Sequence, residues 1–207
     1  MAHVRSEISN AGGSEVSLIA VTKSFGTDAL RAASAAGCEG VGENYAQELL
    51  EKVRHGLPLI DVHFIGALQS NKVRSLAGHV ALWQSVDRES VVDELGRRAP
   101  GASILIQVDT TQEPSKGGVA PELLDALRMR AESAGLIVKG LMTIGPTDGT
   151  PQDCEKSFEI LRRLVNEHGL SVCSMGMSAD YRIAVACGST MVRVGSGLFG
   201  DRVRVSP

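Results

Sequence analysis

Short apolar runs alternate along this chain with longer segments in which apolar residues recur at helical spacing. Each run holds four to six residues, which is typical of a β-strand that is covered on both faces. The runs predict strands at residues 17–21, 39–42, 62–65, 81–86, 104–108, 137–142, 170–174 and 191–194.

The segments between the runs predict helices. Gly37 follows the first of these segments, and a glycine is a common residue just beyond a helix. Pro121 opens a later one, where its missing N–H costs little. The predicted helices are residues 28–36, 44–55, 70–77, 88–98, 121–134, 152–168 and 179–186.

Regular alternation of strand and helix predicts an α/β fold with a parallel sheet and crossover helices. Eight such units can close into a single (β/α)8 TIM barrel, which is our prediction for a single domain spanning residues 1–207, with a short N-terminal segment at residues 1–14. An open doubly wound sheet is the alternative. That fold usually has a glycine-rich first turn, whereas the turn here is Thr22-Lys23-Ser24.

The amino-acid composition excludes some classes of function. Hydrophobic residues make up 43% of the 207, enough for a sizeable core, while the net charge of −3 and an aromatic content of 3% argue against binding nucleic acid. No apolar run approaches the roughly 20 residues that span a bilayer, and residues 1–14 lack a signal-peptide core. We therefore expect a cytoplasmic protein without membrane association.

The four cysteines are expected to be buried, reduced thiols. They form no CxxC pair and have no histidine at metal-ligand spacing, so the sequence predicts no metal site. They are Cys38, Cys154, Cys173 and Cys187.

In a barrel of this type the reactive face is built from the loops that follow the strands. The turns after the seventh and eighth strands contain residues that suit an anion, because glycine exposes backbone N–H groups and serine adds a hydroxyl donor. They are Gly176, Ser178, Gly195, Ser196 and Gly197.

Lys23 ends the first strand, which adjoins the eighth when the barrel closes. An amine beside a phosphate cradle suggests a phosphorylated aldehyde held as a Schiff base. Desolvation in the barrel and the positive charge of Arg193 would both favour the neutral, nucleophilic amine.

Each of these residues also has a structural interpretation. Lys23 alone could be a solvated lysine at a strand end, and Arg193, within an apolar strand, could belong to a buried ion pair. His63 is more typical of a hydrogen-bonded core histidine than of a base. The loop at residues 113–118 lacks a full P-loop pattern, so we interpret it as a lid or surface loop.

Five sequence blocks together resemble the pyridoxal 5′-phosphate (PLP) homeostasis proteins, and they occur in the family's order over nearly the whole chain. These proteins share the fold of the alanine racemase N-terminal domain without the second domain of that enzyme. The blocks are AVTKS at 20–24, GENYAQE at 42–48, HFIGALQSNK at 63–72, SMGMSADY at 174–181 and GSTMVRVGSGLFGDR at 188–202.

The resemblance implies PLP as cofactor, bound covalently as an aldimine on Lys23. It further implies that Arg193 faces the pyridine nitrogen of the cofactor and that the phosphate is bound by Ser178, Gly195 and Ser196. Positions expected to line the pocket are Asn44, His63 and Met177.

The function implied by the resemblance is PLP buffering and delivery to PLP-dependent apoenzymes, without robust catalysis. We expect a monomer, since no dimerisation element is visible. A PLP-dependent amino-acid racemase is the alternative, and a cofactor-free phosphosugar isomerase or aldolase is a third possibility. Departures from the family are a short N-terminal segment, whose leading helix is expected to be clipped or frayed, Gly117 in a variable loop, and Tyr181 in place of an apolar residue.

Overall fold

Eight parallel strands pair in chain order, and the last pairs with the first, so the sheet is a closed barrel. The computed structural model describes residues 1–113 and 116–200. The predicted (β/α)8 TIM barrel is confirmed, and the open sheet is wrong. The strands are β1 (Ser17–Val21), β2 (Gly40–Glu43), β3 (Val62–Phe64), β4 (Leu82–Val86), β5 (Ser103–Gln107), β6 (Ile137–Met142), β7 (Val172–Ser174) and β8 (Met191–Val194).

Helices surround the barrel, and a 3₁₀ turn at Pro121–Leu123 precedes one of them. The helices are α1 (Ala2–Asn10), α2 (Thr27–Ala35), α3 (Ala46–Arg54), α4 (Ser70–Leu76), α5 (Glu89–Arg98), α6 (Leu124–Ser133), α7 (Pro151–Glu167), α8 (Tyr181–Ala186) and α9 (Ser196–Phe199). The sequence did not predict α9, and the helix predicted to begin at residue 44 begins instead at residue 46. In the described part of the chain, no helix has the length and apolarity to cross a membrane.

A leading helix, α1, is ordered from Ala2 to Asn10, so the expectation that it is frayed was wrong. Val4 and Ile8 lie one turn apart on α1, and both are buried against the barrel helices. Between them, Glu7 accepts hydrogen bonds from the Tyr181 hydroxyl and the Arg182 guanidinium on α8. Tyr181 thus helps to hold α1 in place.

Two apolar layers account for the buried strands. The larger one fills the space between the strands and the surrounding helices and includes Trp83. The smaller one lies inside the barrel, where alternate residues of the strands point inward. Its buried members are Ile19, Leu82, Leu105, Met142 and Met191.

A row of polar side chains crosses the barrel interior beside this inner layer. Gln84 Nε2 lies 2.8 Å from His63 Nδ1, and Ser174 Oγ donates to Gln84 Oε1 at 2.7 Å. Arg193 Nη1 in turn donates to Ser174 Oγ at 2.6 Å. These contacts satisfy polar groups that would be costly to bury alone.

Close strand packing generates a first prediction, at Gly140 of β6. A Cβ atom at this position would lie 1.9 Å from the Val172 carbonyl oxygen, which belongs to the backbone and cannot rotate away. We expect Gly140→Ala to lower the free energy of unfolding by about 1–3 kcal/mol, measured by urea denaturation. The control is Gly78→Ala, since nothing lies within 4 Å of a Cβ there. Equal stability of the two variants would contradict the packing argument.

The burial of His63 generates a second prediction. Burial lowers its pKa to about 4, from an ordinary value of 6.5. Between these values the unfolded chain binds more protons than the folded one, so stability falls as the pH falls. We expect His63 to remove about 2 kcal/mol from the free energy of unfolding between pH 7 and pH 5.

The measurement is urea denaturation at both pH values, for the native chain and for His63→Gln. The free energy of unfolding of His63→Gln should fall less between pH 7 and pH 5 than that of the native chain, by about 2 kcal/mol. An identical pH dependence of the two proteins would mean that His63 is not held neutral in the barrel.

Candidate functional site

A cavity of about 350 Å³ opens at the carboxyl ends of the strands, which is the reactive face of this fold. Seven of the eight residues that the family resemblance implies at the cofactor line it, whereas Gly176 and Gly197 of the predicted anion turns are not among its lining residues. The seven are Lys23, Asn44, Met177, Ser178, Arg193, Gly195 and Ser196.

Lys23 reaches the cavity because of its position after β1. The strand ends at Val21, and Lys23 lies two residues beyond it, so both continue the inward alternation that begins at Ile19. In the β1–β8 pairing, Ile19 is the partner of Arg193. Closure of the barrel therefore places the half-buried Lys23 beside the turn that follows β8.

That turn forms a cradle of backbone N–H groups around one hydroxyl. The amides of Gly195 and Gly197 donate to Ser178 Oγ at 3.1 and 3.3 Å. A Cβ atom at Gly197 would lie 2.9 Å from the Val194 side chain, so the backbone approaches its neighbours closely here. The amide N–H groups of this turn, together with the Ser178 hydroxyl from the loop after β7, are suitable donors for a phosphate group.

The loop after β7, which carries Ser178, has a fixed shape. Gly176 has a φ of +95°, a conformation that favours glycine, and a Cβ there would lie 2.6 Å from the Ala184 side chain. Its carbonyl accepts from the Arg193 amide at 3.0 Å, and Asp180 Oδ1 accepts from the Met177 amide at 2.5 Å. Burial raises the pKa of Asp180.

Arg193 forms part of the cavity wall, and its side chain is only 3% exposed. Its guanidinium donates to Ser174 Oγ at 2.6 Å and to the Thr143 carbonyl at 2.7 Å. Burial lowers its pKa to about 10, and the negative charge of Asp180 opposes this shift. Arg193 therefore stays cationic at neutral pH. Its hydrogen bonds are to the neutral oxygens of Ser174 and Thr143, and not to a carboxylate as a buried ion pair would require.

Asn44 follows β2 and is held at the cavity by close packing of its backbone. A Cβ at Gly66 would lie 2.1 Å from the Asn44 carbonyl oxygen, so the small residue permits this approach. The side-chain oxygen Oδ1 of Asn44 is buried and has no hydrogen-bond partner among the described residues. A buried acceptor of this kind suits a donor on a bound molecule.

His63 does not line the cavity, although the sequence grouped it with the pocket. It faces the barrel interior, where its ring lies against Gly40 and pairs with Gln84. Its connection to the cavity runs through Gln84 and Ser174 to Arg193. The structure therefore agrees with the core-histidine interpretation.

Sequence reasoning missed the apolar part of the wall, formed by Val21, Ile65, Met142 and Ile144. Each either ends a strand facing inward or continues that alternation one step beyond it. Counting inward positions past the ends of the strands could have identified them. Phe25 also lines the cavity, and its ring packs against Phe199 of α9 with centroids 5.1 Å apart.

The cavity wall is cationic in its described part. It contains Lys23 and Arg193 but no aspartate, glutamate, histidine, cysteine or tyrosine. The arrangement can bind an anion and offer an amine to an electrophile. It lacks, among these residues, a second side chain of the types that usually exchange protons with a substrate.

Comparison with known proteins agrees with this arrangement. Residues 2–203 match the family model of the alanine racemase N-terminal domain. A pyridoxal phosphate homeostasis protein of Haemophilus influenzae is 37% identical over 209 residues, covering 93% of this chain and 88% of the relative.

Solved structures support the same assignment. PipY of Synechococcus elongatus, solved with PLP bound, has a TM-score of 0.79 and 33% identity, covering 93% of this chain and all of that one. An alanine racemase of Corynebacterium glutamicum shares the fold, with a TM-score of 0.77 at 17% identity. It covers the whole of this chain, which spans 62% of the racemase. The chain therefore belongs to the alanine racemase N-terminal domain family and, within it, to the pyridoxal phosphate homeostasis proteins.

Proposed function

We propose that this chain binds PLP through an imine with Lys23 and thereby stores and delivers the cofactor. The observation that carries the proposal is the convergence of an amine, an anion cradle and a buried guanidinium on one cavity. PLP has a group that suits each of these. Its aldehyde can react with the amine, its phosphate can bind in the anion cradle, and its pyridine nitrogen can face the guanidinium. The relatives named for PLP homeostasis, and PipY with its bound PLP, support the same assignment.

The cavity fits the cofactor in size and in chemistry. A volume of about 350 Å³ lies in the range of small-molecule sites. The unpartnered Oδ1 of Asn44 can accept a hydrogen bond from a ring hydroxyl, and Val21, Ile65 and Met142 offer apolar contact. We assign the phosphate to the cradle of Ser178, Gly195 and Ser196, with Met177 at its rim.

Lys23 supplies the covalent link. In this proposal the neutral Nζ amine attacks the aldehyde carbon and gives up two protons as a C–N double bond replaces the C–O double bond. The aldehyde oxygen takes up those two protons and leaves as water. The reverse step, in which water restores the aldehyde, releases the cofactor. Because formation releases only water and the reverse step consumes only water, the link suits a carrier.

Arg193 faces the pyridine nitrogen in this proposal. A guanidinium with a pKa of about 10 keeps its proton at neutral pH and cannot share it fully with pyridine. An unprotonated ring withdraws electrons weakly, which disfavours carbanion chemistry at a bound amino acid. The arginine therefore supports holding the cofactor rather than using it.

A racemase is the second candidate, because the chain shares the alanine racemase fold. Two-base racemisation requires a proton-transfer group on each face of the cofactor. The described wall offers Lys23 alone for this task, Tyr181 is bound to Glu7 outside the barrel, and Tyr45 is outside the cavity wall. The homeostasis role is therefore the better supported of the two.

The wider cellular role is also proposed. PLP-dependent apoenzymes are the expected recipients, and the protein acts as a cytoplasmic monomer. The free thiols of Cys38, Cys154, Cys173 and Cys187 suit a reducing compartment.

A third prediction concerns Lys23. PLP added to the native chain should produce the visible absorbance of a protonated imine, and Lys23→Ala should abolish it. The control Lys139→Ala changes an exposed lysine on β6 and should leave the spectrum unchanged. Retention of the imine band in Lys23→Ala would refute the assignment.

A fourth prediction concerns catalysis. With PLP bound, racemisation of alanine should stay far below the rate of about 1 s⁻¹ that marks ordinary enzymes, because the described residues of the wall include no second proton-transfer group. Formation of D-alanine from L-alanine, followed by chiral chromatography, measures it. Turnover at or above that rate would replace the carrier role with the racemase.

A further inference from the structure

Helix α3 contacts the backbone on both sides of Lys23. Glu48 Oε2 accepts a hydrogen bond from the Ser24 amide at 2.8 Å, and Lys52 Nζ donates to the Thr22 carbonyl at 2.8 Å. Glu48 and Lys52 are four residues apart, so they lie on the same face of the helix. Neither lines the cavity, since both approach the loop from the outer side of the barrel.

The contact at Thr22 belongs to a buried cluster. Lys52 Nζ lies 2.6 Å from Glu43 Oε1, and the Thr22 hydroxyl donates to the same oxygen at 2.6 Å. Glu43 is fully buried, its Oε2 has no hydrogen-bond partner within the described chain, and burial raises its pKa. A buried ion pair contributes little net stability. The effect visible in the structure is that Lys52 and Glu43 together bind the backbone and side chain of Thr22.

The contact at Ser24 stabilises an uncommon conformation. Ser24 has a φ of +64°, in the left-handed region that residues other than glycine rarely adopt. The Phe25 amide also donates to the Thr22 carbonyl, at 3.1 Å, and closes the turn. Lys23 thus sits in a tight turn whose two flanking residues are both bound to α3.

We propose that Glu48 and Lys52 are positioning residues that direct the Lys23 amine into the cavity. This inference rests on the proposed function. Imine formation depends on how the amine is oriented toward the aldehyde, and a small displacement of the backbone reduces it. Phosphate binding uses the turns after β7 and β8, so it does not depend on α3.

Two ligands separate these effects. The affinity for PLP reports phosphate binding together with imine formation. Pyridoxine 5′-phosphate has an alcohol in place of the aldehyde, so its affinity reports binding without the imine. We expect Glu48→Ala to weaken PLP binding and slow imine formation at least about tenfold, because the amine is no longer aligned with the aldehyde. Affinity for pyridoxine 5′-phosphate should stay within about twofold, since the alcohol forms no bond to the amine and alignment matters only for reacting groups.

Matched variants strengthen the test. Glu48→Gln keeps an oxygen that can accept from Ser24 and should restore imine formation. Glu51→Gln changes an exposed carboxylate on the same helix and should behave as the native chain. If Glu48→Ala does not fold, the double variant Glu43→Leu with Lys52→Met tests the Thr22 side with an apolar pair, and the same selective loss is expected.

Each outcome decides the matter. Normal imine formation in the folded variant overturns the proposal, as does an equal loss of both ligands, which indicates general damage to the site. If the native chain itself forms no imine, the proposed function fails instead. A selective loss of the imine, rescued by Glu48→Gln, supports the positioning role.

Discussion

The pairing of β1 with β8 is the constraint on which the rest of the structure depends. It closes the sheet and sets Ile19 beside Arg193 and Ala20 beside Val194. Residues from opposite ends of the chain thereby meet at one mouth, so an amine that follows the first strand lies beside the glycine turn that follows the last. Without this closure Lys23 and Ser196 would not line the same cavity.

The polar groups described in the barrel interior are organised around the buried positive charge of Arg193. Arg193 is held by Ser174 and the Thr143 carbonyl, and the polar row continues through Gln84 to a neutral His63. A cation desolvated in this way favours an anionic or electron-rich ligand. The same row links the floor of the cavity to the packing of the strands.

The local pattern sufficed for the strands and for the five cavity residues Lys23, Ser178, Arg193, Gly195 and Ser196, because apolar runs and strand-end residues have fixed meanings in a parallel barrel. Asn44 and Met177 came from the family resemblance, and the apolar wall was missed. The local pattern failed for features that depend on contacts between residues far apart in the chain. Helix α1 is ordered by Glu7 binding Tyr181 and Arg182, 174 and 175 residues away. Helix α9 is too short to have a periodic signal. The pairing of His63 with Gln84, and the contacts of α3 around Lys23, exist only in the closed barrel. Within the loop predicted to be a lid or a surface loop, residues 114 and 115 lie outside the described chain, as do residues 201–207.

The central claim, that one amine at the mouth of the barrel holds the aldehyde, is tested most directly by chemical trapping. Borohydride reduces an imine to a stable amine, and proteolysis with mass spectrometry then locates the added pyridoxyl phosphate. The account predicts a single major label on the peptide that contains Lys23. A label concentrated on any other lysine, or spread evenly over exposed lysines, would contradict it.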